Sequence, residues 1–205
     1  MCAALLISAT TALAGNDLSL KDITSGKFAP KGIGSITALD DGETYAQVSK
    51  DGKKVVRYSF RTGKQTDVLF DVNNTIGQKI ESFEDYIMSP DGTKMLIQTN
   101  SHKIYRRSFT ADFYIYTIAS RKLEKLSDNG AQQTPVWSPD GKQIAFVRDN
   151  NIFLVKLLYD NAESQVTKDG KKNELINGIP DWVNEEEFGF NTAMTFNGDG
   201  SMICW

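Results

Sequence analysis

The chain has 205 residues, 40% hydrophobic and 24% charged, a globular composition that excludes a disordered or fibrous polypeptide. With 23 basic and 26 acidic residues its net charge is −3, so no basic field is available to hold nucleic acid or an anionic membrane surface. The two cysteines, Cys2 and Cys204, sit near opposite ends and give no internal disulfide framework.

Residues Ala3 to Ala14 (AALLISATTALA) are small and apolar and end in Ala12-Leu13-Ala14 before Gly15, the small-x-small pattern that a signal peptidase reads. Residues 1–14 are therefore read as a signal peptide and 15–205 as the mature chain, in the periplasm or secreted. No Lys or Arg precedes Lys21, so the leader is expected to begin upstream of Met1. A buried first strand is the alternative. The run is shorter than the roughly 20 apolar residues of a membrane span, and none is expected elsewhere. Cys2 lacks the preceding residues of a lipoprotein processing site.

Four of the Asp-Gly pairs, with glycines at 42, 92, 141 and 200, recur at intervals of 50, 49 and 59 residues. The first unit offers Ser35–Leu39, Thr44–Val48, Lys54–Phe60 and Gln65–Phe70 as strands. The next two carry near-copies, Met88-Ser89-Pro90-Asp91-Gly92 and Trp137-Ser138-Pro139-Asp140-Gly141. In each copy Pro suits the second position of a type I turn, Asp the third, and Gly the positive φ that closes a tight hairpin. Further strand-like runs follow, Phe113–Ile118 and Lys122–Leu126 in the second unit, Asn151–Lys156 and Ser164–Thr167 in the third. Four strands repeating at about fifty residues predict an all-β fold, a partial β-propeller of four-stranded antiparallel blades. About three blades are complete, and a fourth starts at Thr192–Phe196 and stops in its second strand at Trp205. The chain reads as the front portion of a longer protein.

No catalytic machinery is found. There is no Gly-x-Ser-x-Gly elbow, and the single histidine, His102, lies in the polar run Thr99–Lys103, where an exposed strand end is expected. One histidine and one mature cysteine make no zinc cluster, and no segment has calcium-loop or phosphate-loop spacing. No metal or cofactor is expected.

Between Ser164–Thr167 and Thr192 lies Asn177-Gly178-Ile179-Pro180-Asp181-Trp182-Val183-Asn184-Glu185-Glu186-Glu187-Phe188. Gly178-Ile179-Pro180 is expected to break a strand, Asp181 to cap a short helix and Trp182 to anchor its first turn in the core. Composition alone makes this a solvated, Glu-rich surface helix. Yet the segment resembles, nearly residue for residue, the double-glutamate segment of the dipeptidyl peptidase IV family, serine exopeptidases of the prolyl oligopeptidase clan. The resemblance implies that Glu186 and Glu187 bind the ammonium of a peptide substrate's free amino terminus, with Glu185 outside the pair. Ile104-Tyr105-Arg106-Arg107-Ser108-Phe109-Thr110-Ala111 resembles a second segment of that family, in which the arginine, here Arg106, reaches toward the substrate's P2 carbonyl. Arg107 stands where the family often has His, and Phe109 where it often has Tyr.

The likeness runs from about Leu18 to Trp205. It implies a recognition propeller whose partner, an α/β-hydrolase domain absent from these residues, carries the Ser-Asp-His triad and removes N-terminal dipeptides, Xaa-Pro preferred. Family members are commonly homodimers. Ser-Pro-Asp-Gly hairpins also occur in TolB-like propellers, so a noncatalytic module that binds protein or peptide is the competing reading, and an exopeptidase of the same clan with altered specificity is a third.

Overall fold

The computed structural model describes residues 18–30, 32 and 34–205. The expected signal peptide and Cys2 lie outside them. Residues 1–34 and 35–205 form separate units. The described part of the first holds one short helix, α1 (Leu20–Thr24), closed by a reciprocal capping box between Ser19 and Asp22. Among the described residues no helix is long and apolar enough to cross a membrane.

The second unit is built of blades. The first is β1 (Thr37–Ala38), β2 (Thr44–Val48), β3 (Lys54–Ser59) and β4 (Gln65–Asp71), an antiparallel sheet in chain order. The second comprises β6 (Asp85–Met88), β7 (Lys94–Lys103), β8 (Phe109–Thr117) and β9 (Lys122–Lys125); the short β5 (Ile76–Gly77) adds to its outer edge, parallel to β9. The third is β10 (Gln133–Trp137), β11 (Gln143–Arg148), β12 (Asn151–Lys156) and β13 (Ala162–Gln165). A helix, α2 (Trp182–Phe188), precedes a final two-stranded sheet of β14 (Thr195–Phe196) and β15 (Ile203–Cys204). The predicted all-β, four-stranded repeat is thus what the chain forms.

Central strands are apolar at successive positions because both of their faces are covered. Along β7, Met95 and Ile97 point into a cluster with Ala46, Val55, Leu69 and Phe70 of the first blade, while Leu96 between them joins Ile144, Phe146 and Val155 of the third. Along β11 the alternation repeats, with Ile144 and Phe146 facing the second blade and Ala145 and Val147 facing Met194 and the final sheet. A period of two therefore assigns alternate residues to two different interfaces.

The turns bind the repeat together. Gly92, Gly141 and Gly200 each have φ between 66° and 73°, and each amide donates to the carbonyl three residues earlier. The Ser89 hydroxyl donates to Asp91 at 2.6 Å and that of Ser138 to Asp140 at 2.7 Å, while each accepts, at 2.9 Å, the amide five residues on. Asn197 accepts the amide of Met202 at 2.9 Å in the equivalent position. The turns also touch in series. A Cβ on Gly141 would lie 3.3 Å from the Asp91 carboxylate, and one on Gly200 would lie 3.4 Å from Ser138. A further turn, Ser49-Lys50-Asp51-Gly52, has the same bonds but joins β2 to β3, out of phase with the repeat.

In the third blade the Arg148 guanidinium lies over the Phe153 ring, 3.9 Å from its centroid, and donates to Ser127, which follows β9 of the second blade, at 2.9 Å. Ser127 in turn donates to Glu163 of β13.

Candidate functional site

Two departures from the repeat meet. One is the β7–β8 hairpin, whose strands run ten and nine residues against six in β11 and β12. The other is the insertion between β13 and β14. Gly178-Ile179-Pro180 follows a loop rather than the expected strand, since β13 ends at Gln165. Asp181 caps α2 as expected, its carboxylate accepting the Asn184 amide at 2.8 Å. Gly189 closes the helix with φ 75°, its amide donating to the Glu185 carbonyl at 3.0 Å.

Trp182 does not anchor the helix. Its side chain is 55% exposed, as are Val183 and Phe188 to a similar or greater degree, whereas Glu185 is only 2% exposed. The inward position of this two-turn helix falls four residues after the cap, and what faces it is backbone polarity at the hairpin tip rather than an apolar core. Glu185 Oε1 accepts the Arg107 amide at 2.7 Å and the Ser108 amide at 2.9 Å. Burial pushes the Glu185 carboxyl up, but the donors at Ser108 and Arg107 and the Arg107 charge outweigh it and hold it below the usual carboxylate range. The Ser108 hydroxyl is buried beside this contact without a well-formed hydrogen bond of its own. Asn191 adds a 3.0 Å hydrogen bond to the Arg107 carbonyl, and Gly189 lies under the Arg107 guanidinium, where a Cβ would come within 3.3 Å.

Successive helical residues diverge by about 100°, so the three glutamates take three environments. Glu186 turns toward the hairpin and pairs with Arg106, Nε lying 3.0 Å from Oε2 and 3.3 Å from Oε1. Glu187 is exposed and, among the described residues, has no hydrogen bond or ion pair. Arg106 is 74% exposed. The structure thus brings Arg106 and Glu186 together across eighty residues of sequence and leaves Glu187 free beside them. Sequence reasoning set Glu185 aside as a neighbour. No local signal separates three identical side chains in a row, because the partner that buries one of them is distant in sequence.

His102 sits exposed at the end of β7, opposite Thr110. Among the described residues no cluster of His, Cys, Asp and Glu is arranged to hold a metal ion.

Residues 89–205 match the family model described as the dipeptidyl peptidase IV (DPP IV) N-terminal region. The chain belongs to this family. Within the dipeptidyl peptidase IV family it is 36% identical over 203 residues to the "Probable dipeptidyl-aminopeptidase B" of Emericella nidulans, covering 93% of this chain and 22% of that protein. To the prolyl endopeptidase FAP of Homo sapiens it is 34% identical over 190 residues, covering 92% and 24%. Its fold superposes on the crystal structure of Porphyromonas gingivalis dipeptidyl peptidase 4 with a TM-score of 0.86 and 37% identity, over 92% of this chain and 27% of that one. The chain spans about a quarter of the length of the curated relatives it matches. What it shares with them is the N-terminal region that this family model describes.

Proposed function

We propose that this region recognises the amino terminus of peptide substrates for a serine exopeptidase that removes N-terminal dipeptides, preferring Xaa-Pro, with the Ser-Asp-His chemistry supplied by an α/β-hydrolase domain outside these residues. The observation that carries the reading is the pairing of Arg106 with Glu186 beside the unpaired Glu187. An ammonium has three donors, and two carboxylates satisfy most of them by charge-assisted hydrogen bonds that also fix its position. In the proposed complex Glu186 and Glu187 hold the P2 ammonium, and Arg106, kept near by Glu186, directs its guanidinium at the P2 carbonyl. Anchoring at the amino terminus then places one peptide bond, the second, at the nucleophile, so binding energy is converted into positional selectivity. The proline preference follows the family resemblance, and one relative is named a prolyl endopeptidase. Residues 1–14 act as a signal peptide in this reading, the remainder is periplasmic or secreted, and the full-length enzyme is a homodimer.

The test is made in the full-length polypeptide, with an Xaa-Pro substrate whose amino terminus is either free or acetylated. Glu186→Gln and Glu187→Gln are each expected to lower kcat/KM for the free substrate about 30- to 100-fold, the scale of one lost hydrogen bond to a charged group. Both should leave the weak turnover of the acetylated substrate unchanged. Turnover of the free substrate at the wild-type rate would defeat the assignment, and equal wild-type turnover of both substrates would favour an endopeptidase.

A further inference from the structure

The β7–β8 sheet does not by itself set the position of Arg106. Pairing breaks register between Thr99 and His102, where Asn100 takes a φ of 52°, and resumes only as far as Lys103 opposite Phe109. Beyond that pair the tip is closed by the amides of Ile104 and Tyr105 donating to one carbonyl, that of Ser108. Apolar packing adds little, since Ile104 and Tyr105 are both exposed. What remains is a set of contacts from the far segment: Glu185 on the amides of Arg107 and Ser108, Asn191 on the Arg107 carbonyl, and Gly189 under the Arg107 side chain.

Of these, Glu185 is the one withdrawn from water. An apolar residue would be the economical choice at the inward position of a helix, because a buried carboxylate costs desolvation energy unless donors meet it. Here two donors meet a single oxygen. The residues joined are each next in sequence to a proposed recognition group, Arg107 to Arg106 and Glu185 to Glu186. A contact of 2.7 Å between their neighbours therefore ties together the two backbone segments that carry the recognition side chains.

We propose that Glu185 is a positioning residue: by seating two hairpin-tip amides on one carboxylate oxygen, it sets Arg106 at working distance from Glu186. This rests on the recognition role given to Glu186, Glu187 and Arg106 above. Glu185 touches no substrate, and its contribution is reach rather than charge.

Two conservative variants separate reach from charge. Glu185→Asp keeps the charge and withdraws the acceptor by one carbon–carbon bond, whereas Glu185→Gln keeps the acceptor and removes the charge. In the full-length polypeptide with a free-amino Xaa-Pro substrate, Glu185→Asp is expected to raise KM about tenfold or more with kcat within about threefold, since misplacement of about 1 Å suffices for losses of this size. Glu185→Gln should stay within about threefold of wild type in both constants. Amide hydrogen exchange at Arg107 and Ser108 should quicken in Glu185→Asp alone, while amides of β7 before Thr99 and of β11 keep their protection. A wild-type KM in Glu185→Asp, or a loss in Glu185→Gln as large as that in Glu185→Asp, overturns the inference. If Glu186→Gln leaves the preference for a free over an acetylated amino terminus intact, the recognition reading fails. If Glu186→Gln abolishes that preference while Glu185→Asp does not weaken it, only the positioning role fails.

Discussion

Arg148 and Glu163 form a 2.6 Å ion pair that is nearly withdrawn from water, their side chains 12% and 17% exposed. Ser127 and Asn129 complete the coordination of the carboxylate, and Phe153 backs the guanidinium. Removing one partner of such a pair strands the other charge, whereas replacing both with apolar groups does not. Arg148→Ala is accordingly expected to lower the unfolding free energy by about 2 to 3 kcal/mol, less than the full-burial figure because some exposure remains. Arg148→Met combined with Glu163→Leu should recover most of that loss. Chemical denaturation of the three proteins measures both quantities, and a double variant weaker than Arg148→Ala would contradict the account.

Acid should weaken the fold through the same carboxylates. Burial raises the Glu163 carboxyl, but the hydrogen bonds from Arg148, Ser127 and Asn129 and the Arg148 charge hold it below the ordinary value of 4.5; Glu185 is displaced in the same direction. A carboxyl whose folded-state pKa is depressed binds its proton more weakly when folded than when unfolded. Its stabilisation is therefore complete above the unfolded-state value and disappears as pH falls through the folded-state value. The melting temperature is expected to be level above about pH 6 and to fall increasingly below about pH 4.5. Glu163→Gln should lessen that acid slope, and an unchanged slope in thermal melts between about pH 3 and pH 7 would remove Glu163 from the explanation.

Gly178 is required by both backbone and space. Its φ is 77°, and a Cβ there would lie 2.8 Å from Val147 Cγ2 and 3.0 Å from Ile152 Cγ1, inside the third blade's outer core. Its carbonyl also accepts the Ala193 amide at 2.9 Å, tying the two ends of the insertion that carries α2. Gly178→Ala is expected to destabilise by about 2 to 4 kcal/mol, overpacking added to backbone strain, read as a lowered midpoint in denaturant. A midpoint equal to wild type would show that the core yields more readily than its spacing implies.

The blades were legible because their determinants are local. Ser-Pro-Asp-Gly sets turn geometry within four residues, and period-two apolar runs follow from pleating. The same locality explains the misses. Asp51-Gly52 has the chemistry of the repeat turn but sits between β2 and β3, and only pairing reveals its phase. Trp182 reads as a core anchor in isolation, yet the surface that α2 meets is the backbone of a hairpin tip, which rewards a carboxylate. Resemblance singled out Arg106 with Glu186 and Glu187 and set Glu185 outside the pair, but it gave no sign of the structural contact Glu185 makes, which spans 78 residues.

The serial contact of the turn glycines gives the strands one end that is tied to its neighbours and one that is not held in this way. Where Asp91 rests on Gly141 and Ser138 on Gly200, the positive φ of both glycines disfavours any side chain, and at Gly141 a Cβ would also press on the neighbouring blade's Asp91. The opposite end of β7 makes no turn-to-turn contact of this kind, and that is where the longer hairpin bears Arg106. The turns keep the blades in step, while the opposite rim is held instead by the contacts of the distant α2 segment. A search that averages over the repeat would keep the turns and erase the site.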